Sequence, residues 1–387
     1  MRSFDTYSVP RIIVGRGSSG RLGELAAGFG GRCALVYNGS LPDAVTKSLD
    51  RAGIAVTSIR QKGEPTVDQI DSAVVAARSA GAEMVIAVGG GSAIDAGKAV
   101  AGLLTNPGNA LDYLEVVGKG QKITKAGLPF IAVPTTAGTG AEATRNAVLG
   151  VPEKKFKASL RSELLLPRVA VVDAELGAGV PREVIASSGM DALCQCIEAY
   201  TSNGANALSD AVALEGVVRA ARSLRRAYEN PLDMEAREDM AVAALFSGIA
   251  LTNAGLGAVH GFAAPLGAAF PVPHGVVCAA LLPHVLRANI SAFVNADRED
   301  DPVMMKYLKI GEIFLGKEAQ YDMKWEAVYE FPKSLAKDFA VPRLSAFGMT
   351  AADIPGIVAL AQKASSMKFN PVVLPAESLG GILQSAI

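Results

Sequence analysis

The sequence predicts two domains of different class: an α/β domain with a mainly parallel sheet over residues 1–178, then an all-helical domain over residues 179–387. Three observations predict it. In the first half, short β-branched runs alternate with amphipathic stretches, the pattern of βαβ units. One run, residues 84–88, is apolar throughout, as befits a strand covered on both faces. After Val180 the strand pattern stops, and helical periodicity interrupted by Pro and Gly continues to the end of the chain.

Taken in order, the expected strands are residues 11–14, 33–37, 56–59, 84–88, 130–133 and 169–172, with helices at 42–52, 67–80 and 93–103 between them. Pro181 suits the first turn of a helix, and the domain boundary is expected at 177–181. Beyond it, helices are expected at 182–200, 207–228, 235–253, 276–289, 302–315, 325–339 and 351–364.

A chain of 387 residues, with 50% hydrophobic and 19% charged side chains, buries a large core and is far from the disordered class. Its 37 basic and 38 acidic residues nearly cancel and form no long block, which argues against a nucleic-acid or membrane partner and for small molecules. The first twenty residues lack the apolar core of a secretory signal, so a cytoplasmic location is expected. Cys33, Cys194, Cys196 and Cys278 do not read as a disulfide framework and are expected to be free, mostly buried thiols.

Three constellations carry chemistry. Gly89-Gly90-Gly91-Ser92 follows the buried strand and runs into a helix bearing Asp95 and Lys98. The exposed N–H groups of such a helix start can bind a dinucleotide pyrophosphate, although a tight turn needs glycine whatever the ligand. Pro134-Thr135-Thr136-Ala137-Gly138-Thr139-Gly140 is a second loop after a strand, whose hydroxyls can serve phosphate or ribose oxygens or merely cap a helix. Two such loops on neighbouring strands favour a shared site. In the helical half, Asp191 and Gln195 lie four apart on one helical face, while His260 and His274 are two of the three histidines. Asp, His and His from separate segments can converge on a divalent metal that polarises a carbonyl oxygen; His284 reads instead as a core histidine.

Together with Gly-Met-Asp-Ala-Leu (189–193), Ile-Glu-Ala-Tyr (197–200), His260-Gly261 through Gly267, Pro-His-Gly (273–275) and Asn370-Pro371, these segments make the chain resemble, over nearly its whole length, the iron-containing (group III) alcohol dehydrogenases. The resemblance implies a dehydroquinate-synthase-like architecture with a Rossmann-like first domain. It further implies NAD(P)-dependent hydride transfer between a small alcohol and its aldehyde or ketone, and a homodimer or larger assembly. On the same basis Gly89, Gly90, Gly91, Ser92 and Asp95 belong to the pyrophosphate site, Thr135, Thr136 and Thr139 to the adenine and ribose side, and Lys157 lies near the cofactor ribose. Asp191, Gln195, His260 and His274 take the four metal-ligand positions, with His260 and His274 also expected to act in catalysis.

Two departures from the family stand out: Gln195 replaces a usual histidine, and Ala264 replaces a proton-relaying one. An amide oxygen is a poorer donor than imidazole for Fe²⁺ or Zn²⁺, so iron or zinc binding is expected to be weakened or absent. Asn38-Gly39-Ser40 after the second strand lacks the acidic residue that would repel a 2′-phosphate, so Asn38 and Ser40 are expected to favour NADP over NAD. Three alternatives stay open: a metal-independent reductase resembling maleylacetate reductases, a lyase or cyclase of the dehydroquinate-synthase kind, and a non-catalytic nucleotide-binding relative.

Overall fold

Among the described residues of the first half, eight strands form: β1 (Arg11–Val14), β2 (Arg32–Tyr37), β3 (Ala55–Arg60), β4 (Met84–Gly89), β5 (Phe130–Pro134), β6 (Asn146–Val151), β7 (Phe156–Arg161) and β8 (Val169–Val172). The computed structural model describes residues 3–154, 156–316 and 324–387. Two compact units are present, Tyr7–Val180 and Pro181–Ile387, the latter joined by the residues up to Thr6.

Six strands make one sheet of order β1-β8-β5-β4-β2-β3, and every pairing in it is parallel. Parallel neighbours need crossovers, so helices cover both faces. Side chains alternate between those faces with a period of two. On β4, Met84, Ile86 and Val88 pack with Leu22 and Leu25 of α1 (Leu22–Ala27) and Val45 and Leu49 of α2 (Asp43–Arg51). Val85 and Ala87 face the other way, toward Ile70 and Val74 of α3 (Val67–Ser79) and Val100 and Leu103 of α4 (Gly91–Thr105). Both faces are apolar because both are buried; each such aliphatic side chain contributes about 1.5–3 kcal/mol. Helix α3 starts where Thr66 and Gln69 form a reciprocal capping box.

The sheet order turns at β2: β3 adds on one side of it and β4 on the other. Loops leaving the carboxyl ends of β2 and β4 therefore part, and this switch point is where α/β sheets bind ligands.

Strands β6 and β7 form a separate antiparallel hairpin that the sequence reading left unassigned. Ala147, Leu149 and Val151 alternate inward on β6, but Gly150 and the charged turn that follows obscure the pattern. The hairpin is tied to α4 by Lys98, which is fully buried. Its ammonium donates to Thr144 Oγ1 and the Asn146 carbonyl, each at 2.6 Å, and lies 3.4 Å from Asp95 Oδ1. Burial pushes this ammonium below its ordinary pKa. Asp95 Oδ2 in turn accepts the Val148 N–H at 3.0 Å.

After the single-turn α5 (Ala110–Tyr113) of the first unit, the second unit holds α6 (Arg182–Thr201), α7 (Ala207–Glu229), α8 (Met234–Ala254), α9 (Ala258–Ala269), α10 (His274–Val294), α11 (Pro302–Leu315), α12 (Lys324–Asp338), α13 (Ile354–Ala361) and α14 (Ala376–Ala386), with no strand among its described residues. From Gly189 to Thr201 every residue of α6 is buried, so this helix has no solvent face over its last three turns. Helix α9 escaped the sequence reading because Gly261, Pro265 and Gly267 break its periodicity, yet it continues through Pro265. Helix α14 was unread for a similar reason, its central Gly380-Gly381 pair. Asp239 of α8 ties α7 to α8 by accepting from Arg222 twice at 2.6 Å and from Ser223 Oγ at 2.6 Å. Helix α10 is long and apolar enough to cross a bilayer, but 67% of its most apolar stretch is buried inside the protein, as in a core helix.

Candidate active site

Three helix segments bring the expected acidic and histidine residues of the helical unit together. Asp191 lies on the fully buried part of α6. Helix α10 begins directly at His274, with Pro273 as its N-cap, and approaches α6 so closely that a Cβ on Gly275 would stand 2.3 Å from the Ser187 carbonyl oxygen. Only glycine permits that approach, which sets His274 beside Asp191 one turn further along α6. Helix α9 places His260 in its first turn, where two side chains satisfy the free N–H groups. Asn370 Oδ1 accepts from Ala258 N–H at 3.1 Å and Glu198 Oε1 from Val259 N–H at 2.7 Å.

Asp191 Oδ1 lies 3.3 Å from His260 Nε2 and 3.5 Å from His274 Nε2. Two donors bound at about 2.0–2.1 Å to one tetrahedral cation stand about 3.3 Å apart, so these separations fit a shared divalent ion. Glu198 Oε2 accepts the His260 Nδ1–H at 2.6 Å. That contact holds the ring so that its other nitrogen, Nε2, presents a lone pair to the cluster, the carboxylate–histidine arrangement of metal sites. Burial alone would raise the Asp191 carboxyl, but His274 and His260, in the protonated form that donates to it when no cation is bound, outweigh burial and hold Asp191 well below the usual carboxylate range. Asp191 is therefore an anion at neutral pH.

Gln195 is buried one turn beyond Asp191, and its Oε1 accepts the Ser247 hydroxyl of α8 at 2.8 Å. A residue that sequence reasoning passed over, Cys278, belongs to the same donor cluster as Asp191, His260 and His274, whose ligand atoms all lie within 4.8 Å of one another. Its spacing of four from His274 was the available signal. All four cysteines are free and buried. Burial pushes the Cys278 thiol well above its ordinary value and Cys194 up to about 12. Glu198 and Asn370 were visible in sequence only as parts of motifs, without a role. Ala264 is exposed on α9. His284 is in neither candidate metal group among the described residues.

In the α/β unit the two glycine- and threonine-bearing loops meet at the switch point. Gly90 N–H donates to Asn38 Oδ1 at 3.2 Å, and Asn38 Nδ2 donates to Ser92 Oγ at 2.9 Å, so the end of β2 is pinned to the start of α4. The Thr135 N–H donates to the Gly89 carbonyl at 3.0 Å. A Cβ on Gly91 would meet the Thr139 side chain at 2.9 Å, and one on Gly90 would lie 3.2 Å from Thr136 Oγ1. No side chain caps α4, which leaves its opening N–H groups available to an anion. Ser40 is exposed nearby in sequence. Asp95 and Lys157 are engaged elsewhere, Asp95 with Lys98 and the hairpin and Lys157 with Glu64 at 2.5 Å.

Residues 10–174 match the model of the iron-containing alcohol dehydrogenases, and residues 185–387 match the C-terminal model of the same family. The 1,3-propanediol dehydrogenase of Klebsiella pneumoniae is 34% identical over 96% of this chain and 95% of its own length. A crystal structure of 1,3-propanediol oxidoreductase superimposes with a TM-score of 0.91 at 31% identity, covering 100% of both chains. The sulfoacetaldehyde reductase of Bifidobacterium kashiwanohense, solved with NAD⁺, superimposes with a TM-score of 0.86 at 26% identity over 100% of this chain and 99% of that one. A parallel α/β unit with a helical unit of this architecture, carried by such relatives, defines an oxidoreductase. The chain belongs to the iron-containing alcohol dehydrogenase family, whose members use a nicotinamide dinucleotide and iron.

Proposed function

We infer that the protein interconverts a small alcohol and its aldehyde or ketone, with Gly89, Gly90, Gly91 and Ser92 holding the dinucleotide pyrophosphate and Thr135, Thr136 and Thr139 its ribose side. The observation that carries this reading is the convergence of Asp191, His260 and His274 at metal-ligand spacing in a chain of this family. Asp191, His260 and His274 would hold a divalent cation able to polarise the reacting oxygen, and a dinucleotide held by the two loops would supply or accept the hydride. Glu198 keeps His260 in the required tautomer, and Asn38 fixes the phosphate loop against β2. Asp95, held by Lys98 and the Val148 N–H, and Lys157, beside Glu64, complete the cofactor side in this reading. Oxidation and reduction of cofactor, followed by absorbance with a panel of alcohols, aldehydes and ketones, tests it. Cofactor binding without turnover on any of them would favour a non-catalytic relative, and full activity after chelation a metal-independent reductase.

Replacing Gly91 with Val should weaken dinucleotide binding by tenfold or more, as its side chain would displace Thr139 and cover the helix start. Unchanged affinity by calorimetry, in a protein with an unchanged far-ultraviolet spectrum, would refute the phosphate assignment. Cofactor choice follows from the end of β2, where Asn38 and Ser40 present no negative charge to a 2′-phosphate. The kcat/KM should be higher with NADPH than with NADH; the reverse order would remove the preference for NADP. Strand β1 lies at an edge of the sheet and can pair with a second copy about a two-fold axis, giving a homo-oligomer that light scattering would detect.

A further inference from the structure

We propose that Cys278 is a ligand of the divalent metal, making the site Asp191-His260-His274-Cys278. This inference rests on the reading that the first two kinds of residue hold a cation. Cys278 lies one turn beyond His274 on α10 and is fully buried. Its Sγ stands 3.8 Å from His260 Nε2 and 3.7 Å from His274 Nε2. A tetrahedral ion with bonds of about 2.0–2.1 Å to nitrogen and about 2.3 Å to sulfur separates those donors by about 3.6 Å. Together with the 3.3 and 3.5 Å separations from Asp191, four edges of one tetrahedron are already formed.

A bound divalent cation would stabilise the deprotonated sulfur, with Asp191 as the other anionic donor and the two neutral imidazoles completing the set. On coordination the S–H bond breaks, the S–metal bond forms and the proton leaves to solvent, with no change of oxidation state. A thiolate among the donors favours a borderline-soft ion of the zinc kind.

The test is to strip the full-length protein with chelator, reload it with Co²⁺ and record its absorption spectrum. Wild-type protein should show a sulfur-to-cobalt charge-transfer band in the near ultraviolet beside the visible bands of tetrahedral cobalt. Cys278→Ser should lose the near-ultraviolet band and bind cobalt at least about tenfold more weakly, while Cys194→Ser, which changes the neighbouring thiol, should keep it. Visible cobalt bands without a charge-transfer band in the wild type would overturn the role of Cys278 and leave the three-residue metal site standing. A band that vanishes in Cys194→Ser but persists in Cys278→Ser would likewise overturn it. No cobalt spectrum at all would sink both. The wild-type spectrum decides the matter even if Cys278→Ser does not fold.

Discussion

Replacing His260 with Ala should lower kcat/KM by roughly 10²- to 10³-fold, the usual cost of removing one group that stabilises developing charge. His260 joins the two halves of the cluster: Nε2 faces Asp191 at 3.3 Å, and Nδ1 donates to Glu198 at 2.6 Å. Without the ring, Asp191 keeps its imidazole partner His274, and Glu198 keeps the Val259 N–H but loses its ring donor. The loss should appear in kcat and in metal content, with dinucleotide affinity nearly unchanged because the phosphate loops lie in the other unit. Glutamine at 260 should restore little, as an amide offers no equivalent nitrogen lone pair. Parallel steady-state kinetics, metal analysis and cofactor titration check the prediction. Activity within tenfold of the parent would exclude His260 from the reacting centre.

Replacing Lys98 with Met should destabilise the α/β unit by about 3–5 kcal/mol, the cost of breaking one side of a buried ion pair. Methionine keeps much of the volume, but Thr144 loses a donor to its hydroxyl oxygen, the Asn146 carbonyl loses its ammonium partner, and Asp95 loses the Lys98 cation while keeping the Val148 N–H. The hairpin β6–β7 is anchored through these contacts, so its detachment should accompany the loss. With two compact units the chain need not unfold in one step, and the shift should be read in the transition of the α/β unit. Urea melts followed by circular dichroism provide the measurement, and a second variant, Asp95→Asn with Lys98→Met, should recover part of the loss by removing the orphaned charge. A midpoint equal to that of the parent would show that the pair contributes nothing net.

Much of this fold was legible because its strands are buried on both faces. The runs at β2, β4, β5 and β8 are continuous and apolar, and the structure extends them by no more than a residue at either end. Long amphipathic helices such as α7 and α11 were legible from periodicity, and α11 runs from Pro302 to Leu315 as expected. What sequence hid were elements whose local chemistry opposes their state. Helix α9 carries Pro265 and has almost no polar face, and β6 carries Gly150, so tertiary packing rather than propensity decides both.

The candidate site divides the same way. Asp191, His260, His274 and the glycine loop were legible as residue types in a recurring order. The partners of Gln195 and Cys278 were not, since only folding reveals that Ser247 takes the amide oxygen and that a cysteine one turn from His274 faces the cluster. Glu198 was hidden for a related reason: its effect reaches the cluster through the far nitrogen of a ring.

The absence of a solvent face on α6 bears on how the protein can change over generations. Between Gly189 and Thr201 a substitution alters packing, a site residue or both, leaving few positions at which random change is harmless. New substrate ranges must then arise from side chains with room around them, such as Ala264 on α9. A comprehensive substitution library should find residues 189–201 of α6 nearly closed to variation while neighbouring helices with a wetted side, α7 among them, accept many changes. The helix that carries Asp191 is in that sense inherited whole.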